Sequence, residues 1–320
     1  MAILPVRGGT AARPAETWRS LVPDVAVTGS TGAVGGRVAR LLSAAGVPTL
    51  LVGRDPARLP SLPGAEHGPA AEYRDTAAMT AALRGVRTLL LVSARESADR
   101  LVEHRSAVDA AAAAGVQHVV YTSFLGAAPD CVFTLGRDHW HTEQHLRASG
   151  MAWTFLRDSL YSDFLPGMAG DDGVLRGPAG DGRVSAVAQD DVAEVAVTVL
   201  RDPSVHEGAS YDVTGPEALT LDEVAATITA VTGRAVRYER ETVEEAYASR
   251  AVYGAPDFEV AGWVTSYEAI AAGEALARGR RRAAAARATG GLPGRAAAAR
   301  LTRARPAPEP VAANSSRLLQ

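Results

Sequence analysis

Short apolar runs alternate along this chain with longer stretches in which apolar residues recur every three or four positions. The runs Val25–Thr28, Leu50–Val52, Thr88–Ser93, His118–Ser123 and Trp153–Arg157, with a weaker one at Ala71–Arg74, read as strands. They are too short for helices and are flanked by glycine, proline or polar clusters. The stretches between them read as helices, among them Asp138–Ala148, closed by Gly150. Thr88-Leu-Leu-Leu-Val-Ser is apolar almost throughout, as a strand covered on both faces must be, and the alternation predicts a parallel sheet between two helical layers. Trp153 and Phe155 belong to the strand core on this reading.

The pattern changes after Arg157. A glycine-rich stretch from Gly167 to Gly182 precedes Asp190-Asp191, read as the cap of a helix whose Val192, Val195, Ala196 and Val199 share one face. Thr220-x-x-Glu223 and Thr242-x-x-Glu245 are capping boxes that open two further helices. The expected organisation is a loose arm over 1–23, a nucleotide-binding α/β domain over 24–165 and a smaller, mostly helical lobe over 166–274. That lobe returns some strands to the main sheet. Residues 275–320 are an Ala/Arg-rich tail that begins abruptly after the helical stretch Tyr267–Glu274.

One junction carries chemistry. After Val25-Ala-Val-Thr28 the chain reads Gly29-Ser-Thr-Gly-Ala-Val-Gly35 and then resumes with Val38, Leu41, Leu42 and Ala45 at helical spacing. Glycines three apart let the chain turn out of the strand with positive φ and let a ligand approach bare backbone. The first amides of the helix lack intrahelical partners and carry the positive end of its dipole, which suits a phosphate. Candidate cofactor residues are therefore Gly29, Ser30, Thr31, Gly32, Ala33, Val34 and Gly35, with Ser93 where the Thr88 run reaches small residues at the sheet edge. A tight turn without a ligand is the alternative for the same spacing.

Composition narrows the chemistry. The 320 residues carry a net charge of −3, but Ala275–Gln320 holds ten arginines against Glu309, which leaves the rest of the chain at −12. All 33 basic residues are arginine. Schiff-base catalysis, a P-loop lysine and a Tyr-x-x-x-Lys pair are thereby excluded. The single cysteine, Cys131, excludes an intrachain disulfide, and no metal site is expected from His141 and His145, four apart without a third ligand. No apolar run approaches the ~20 residues of a membrane span, and the chain reads as cytoplasmic. The arginine-rich tail is the only hint of nucleic acid, and it lacks interleaved aromatics.

Several segments together resemble the NmrA-like, atypical branch of the short-chain dehydrogenase/reductase superfamily, over about Val25 to Glu274. They are Val27–Gly35, Val52–Leu59, Val119–Ala127, His139–Glu143 and Ser149–Arg157. The resemblance implies a Rossmann-type doubly wound parallel sheet and an NAD(P)H-dependent quinone reductase. The alternative within the same branch is a non-catalytic NAD(P)-binding sensor that acts through a protein partner. It further implies an arginine against the 2′-phosphate of NADP just past the second strand. Arg54 matches that place, so NADP(H) is preferred, while the adjacent Asp55 keeps NAD(H) open. Asp75 matches a residue beside the adenine, or caps the helix that follows.

The catalytic candidates implied by the resemblance are Ser123, at the end of the fifth strand, and Tyr161, over the nicotinamide. His139 joins them as the one side chain near the expected nicotinamide that could titrate at neutral pH and steady a hydroquinone anion, with a surface or helix-start histidine as the alternative. Where related quinone reductases carry a lysine, this chain has Asp138. A positioned acid for ketone chemistry is therefore missing, whereas a small electron-poor quinone can accept hydride by proximity alone. The oligomeric state is not legible.

Overall fold

The computed structural model describes residues 22–276; the expected arm and tail lie almost wholly outside them. In chain order the main sheet is built from β1 (Val25–Thr28), α1 (Ala33–Ala44), β2 (Thr49–Val52), β3 (Ala65–His67), α2 (Thr76–Leu83), β4 (Thr88–Leu91), α3 (Arg100–Ala114), β5 (His118–Phe124), α4 (Thr134–Ala148) and β6 (Ala152–Asp158). The chain then forms α5 (Leu165–Met168), β7 (Val174–Gly177), β8 (Arg183–Val184), α6 (Gln189–Arg201) and β9 (Ala209–Val213). It ends in β10 (Leu219–Thr220), α7 (Leu221–Thr232), β11 (Arg237–Arg240), α8 (Val243–Arg250) and α9 (Asp257–Ala271).

Seven parallel strands run in the order β3-β2-β1-β4-β5-β6-β9. The order reverses between β1 and β4, and in open α/β sheets ligands bind beyond the carboxyl ends of the strands at such a switch point. One apolar layer packs α1 and α6 against the sheet through Val38, Leu42, Val192 and Val199. The other joins α2, α3 and α4 to the opposite face through Leu83, Val108 and Leu146. The sheet is therefore covered on both sides.

Four expectations shift. The third strand is Ala65–His67 rather than Ala71–Arg74, because an exposed edge strand needs no apolar run to mark it. Residues 71–74 instead pass over the sheet edge as a loop, held by the Ala71 N–H on the Gly53 carbonyl at 3.0 Å. The buried stripe of α1 is Val34, Val38, Ala39 and Leu42, leaving Leu41 and Ala45 exposed. Ala188 occupies the N-cap of α6, so Asp190 and Asp191 sit in the first turn, where carboxylates complement the dipole. The apolar stripe of α6 is as expected, yet it packs on the nucleotide side of the molecule rather than inside the lobe.

The lobe proper has its own core, centred on Leu175, Val184, Ile228, Tyr238 and Tyr267. It holds two small sheets, β7 with β11 and β8 with β10, and both capping boxes are formed. Ala275, assigned to the tail by sequence, is buried here and its carbonyl accepts the Ser185 N–H at 3.1 Å.

Candidate active site

The junction after β1 has the anticipated shape. Gly29 takes φ +63, and the Gly32 N–H folds back onto its carbonyl at 2.9 Å. Gly35 is required for packing: a Cβ there would lie 2.6 Å from the Gly29 carbonyl carbon and 2.8 Å from the Thr28 oxygen. Helix α1 therefore presses directly onto the turn. No side chain caps it and no acidic residue occupies its first turn, so its leading amides face a cleft of about 680 Å³.

Gly29, Thr31, Gly32, Ala33, Val34 and Gly35 line that cleft. Ser30 does not; its buried hydroxyl donates to the Val27 carbonyl at 2.9 Å. Ser93 lines the cleft, with its N–H donated to Thr122 Oγ1 at 2.8 Å. Arg54 lines it too, and so does Arg58, which sequence reasoning passed over; among the described residues neither is ion-paired. Asp55 is spent on the turn that follows, accepting the Ala57 N–H at 3.0 Å. Asp75 likewise accepts the Ala78 N–H at 2.9 Å as the N-cap of α2. Tyr73 also lines the cleft, and its hydroxyl lies 2.6 Å from both Thr28 Oγ1 and the Val92 carbonyl and ties β1 to the end of β4.

The cleft suits a dinucleotide by an independent criterion. Ser97 and Ser159 carry the only buried side-chain polar atoms without a hydrogen-bond partner among the described residues, and both line this cleft. Buried hydroxyls in native proteins are otherwise satisfied, and these two have their hydrogen-bonding capacity free at the lining of the cleft.

Behind the cleft the polar groups divide into two networks. In the first, Arg157 on β6 grips Glu143 on α4 in a fork, at 2.8 Å from Nε and 2.5 Å from Nη2, and Ser123 donates to the same carboxylate at 2.6 Å. Ser123 and Glu143 are fully buried, so the Ser123 hydroxyl is directed into this triad and does not line the cleft. In the second, Arg100 on α3 is buried and donates to the Ala94 carbonyl at 3.0 Å and to His139 Nε2 at 2.9 Å. Its ion pair with Asp138 is long, at 3.5 Å.

His139 lines the cleft but differs from both expectations for it. It is buried in the body of α4, neither on the surface nor at the helix start. A guanidinium can only donate, so His139 Nε2 is unprotonated and the remaining ring proton lies on Nδ1, toward the Tyr121 hydroxyl at 2.9 Å. Burial, and then the charge of Arg100, hold its pKa well below the ordinary value. It stays neutral at physiological pH and is no proton donor.

Tyr161 stands where the cleft meets a second cavity of about 420 Å³ in the lobe. That cavity is lined by Phe133, Phe164, Trp263 and Tyr267, among others. The Tyr161 hydroxyl is 2.6 Å from Asp158 Oδ2, and Asp158, the last residue of β6, also lines the cleft. Burial pushes the Asp158 carboxyl up to about 8. Glu96 borders both cavities and is raised to about 7 by burial, opposed by Arg100 and reinforced by Glu259. Arg100, Asp158 and Glu96 carry no motif; the nearest signal was the position of Asp158, directly after the apolar run of β6.

Known proteins match this geometry. A model of the NmrA-like family matches residues 23–266. The chain is 36% identical over 237 residues to an NAD(P)H azoreductase of Xenophilus azovorans, covering 73% of this chain and 82% of that protein. It is 36% identical over 241 residues to quinone oxidoreductase 2 of Escherichia coli, covering 73% and 83%. An Escherichia coli NADPH-dependent quinone oxidoreductase solved in complex with NADPH superposes with a TM-score of 0.73 at 33% identity, over 79% of this chain and 91% of that one.

Proposed function

The chain belongs to the NmrA-like family, and from that premise we propose that it is an NADPH-dependent oxidoreductase that passes hydride to a quinone or a similarly flat, electron-poor small molecule. The observation that carries this reading is the junction at Tyr161 and Phe164, where a predominantly apolar, aromatic-walled cavity opens onto the dinucleotide cleft. A sensor acting through a partner needs no such chamber. The relatives named above, an NAD(P)H azoreductase and a quinone oxidoreductase, support the same choice.

NADPH, when bound, supplies a hydride with its electron pair. The residues of the chain do the rest. The amides of Ala33, Val34 and Gly35 hold the diphosphate, and Arg54 with Arg58 favours a 2′-phosphate over a bare ribose hydroxyl. Phe133, Phe164 and Trp263 stack on a planar acceptor and keep water from its faces. Arg100 supplies the fixed positive charge that this lysine-free chain offers to the anion developing on the acceptor, and neutral His139 orients it. Ser123 is a positioning residue acting through Glu143. No helix among the described residues is long and apolar enough to cross a membrane; with a single cysteine in the chain, a reducing cytoplasm is the proposed compartment.

Steady-state oxidation of NADPH with simple quinones and azo dyes tests the reading. Turnover is expected; a protein that binds NADPH but reduces no member of the panel above background would be the sensor instead.

A further inference from the structure

We propose that Asp158 is the acid that protonates the reduced acceptor, with the Tyr161 phenol relaying its proton. The inference rests on the hydride-transfer reading and supplies the proton source which that reading leaves open.

The geometry sets Asp158 apart from Glu143, the buried carboxyl that α4 presents to β5 and β6. Glu143 is held by a guanidinium fork and a serine hydroxyl. Asp158 is 5% exposed, forms no ion pair among the described residues and meets one hydroxyl, that of Tyr161. The charged and titratable groups facing it are Tyr161 on its own segment, Arg100 from α3 and neutral His139 from α4. Asp163 bears on Tyr161. Arg100 directs one hydrogen each from Nε, Nη1 and Nη2 to Ala94, Asp138 and His139 and makes no hydrogen bond to Asp158, so it acts on that carboxyl through space. A buried carboxyl without a cationic partner keeps its proton, and Asp158 does so to about pH 8.

Tyr161 is no acid by itself, because burial and the adjacent Asp158 hold its phenol well above the ordinary range. The Tyr161 hydroxyl donates to Asp158 Oδ2 at 2.6 Å when the carboxyl is ionised; protonation of Asp158 reverses this contact, so that the carboxyl O–H donates to the phenol oxygen and the phenol hydrogen is released toward the junction of the two cavities. The step balances. Hydride brings two electrons to the acceptor, leaving an oxyanion or nitranion. The Tyr161 O–H bond breaks as the new O–H or N–H bond forms. The Asp158 O–H bond breaks as the phenol is restored, and the carboxylate regains a proton from water between turnovers.

Two variants and two readouts test this. Asp158→Asn keeps the volume and a hydrogen bond to Tyr161 but holds no acidic proton; Tyr161→Phe removes the relay. The infrared carbonyl stretch of a protonated carboxyl, taken as the difference between wild type and Asp158→Asn so that the Glu96 band cancels and followed in cofactor-free protein from about pH 6 to about pH 10, is expected to be present at the low end and to disappear near pH 8. In the quinone assay at neutral pH, each single variant is expected to lose about 100-fold in kcat, and the double variant no more, because the two groups act as one path. The wild-type fall in kcat above about pH 8 is expected to vanish in Asp158→Asn, with NADPH affinity by fluorescence titration retained. A carboxyl that is ionised across the range, or an Asp158→Asn enzyme with wild-type kcat and pH profile, overturns the proposal. A wild type with no quinone turnover overturns the hydride-transfer reading and takes the acid role with it, while the infrared titration still reports on the carboxyl.

Discussion

The dinucleotide cleft and the acceptor cavity share a wall at Tyr161 and Phe164, yet they are made of different material. At the phosphate end the cleft is backbone: a turn, a row of open amides and a helix pressed so close that only glycine fits at position 35. The cavity is side chains, drawn from the loop after β4, the segment after β6 and the helices α8 and α9. Backbone sites demand particular residues at fixed local spacing. Side-chain sites demand only that distant apolar positions converge, so many sequences serve and none is diagnostic.

The largest expected effects set these two designs against each other. Gly35→Ala puts a methyl group into the Gly29 carbonyl, where only backbone can yield, and should abolish NADPH binding measurable by fluorescence. Its counterpart in the lobe is Gly177→Ala, whose Cβ would lie 2.6 Å from Tyr267 Cγ. It should cost about 1–3 kcal/mol in urea unfolding while leaving NADPH affinity intact. Equal losses of cofactor binding in both would erase the distinction between the regions.

Between the two regions lies the Ser123–Glu143–Arg157 triad. Arg157→Ala leaves a fully buried carboxylate without its cation and should destabilise the protein by about 3–5 kcal/mol, read from the unfolding midpoint. Smaller effects separate the sites functionally. Arg54→Ala should weaken NADPH about 10-fold and leave NADH unchanged, since one charge-assisted contact to a phosphate is lost. Equal affinities for both cofactors in the wild type would instead favour NAD(H).

The smallest change belongs to the rim shared by both cavities. Glu96 has no hydrogen-bond or ion-pair partner among the described residues, and its raised carboxyl is half ionised near pH 7. An acid with an elevated pKa gains its charge as pH climbs through that value. The KM for a cationic acceptor should therefore fall from about pH 6 to about pH 8, and Glu96→Gln should flatten that dependence.

How far each region was legible follows from the same contrast. The alternation of strands and helices, the two-sided cover of the sheet and the phosphate turn could be read because apolar runs and glycine spacing are local consequences of the fold, whereas the order of strands in the sheet is not local and was not read. Edge strand β3 escaped because exposure removes the apolar run. His139 was misplaced because its environment comes from Arg100, 39 residues earlier in the chain. Asp158 was overlooked because a carboxyl at a strand end looks like any polar terminus until the groups around it are known. Asp75 and Asp55 show the converse: each has a local task, Asp75 the helix cap weighed for it from sequence and Asp55 the turn that follows β2.

The path of the chain through the lobe limits how the enzyme can breathe. It leaves the seven-stranded sheet after Asp158, comes back at Gln189 to lay down α6 and β9, and departs again after Val213. The Ser159 N–H donated to the Val213 carbonyl laces two of these crossings side by side. A clamshell swing would have to bend three tethers at once, so guests should be admitted by the outermost fringe of the chamber, where Val252 and Tyr253 stand in solvent on a single short turn.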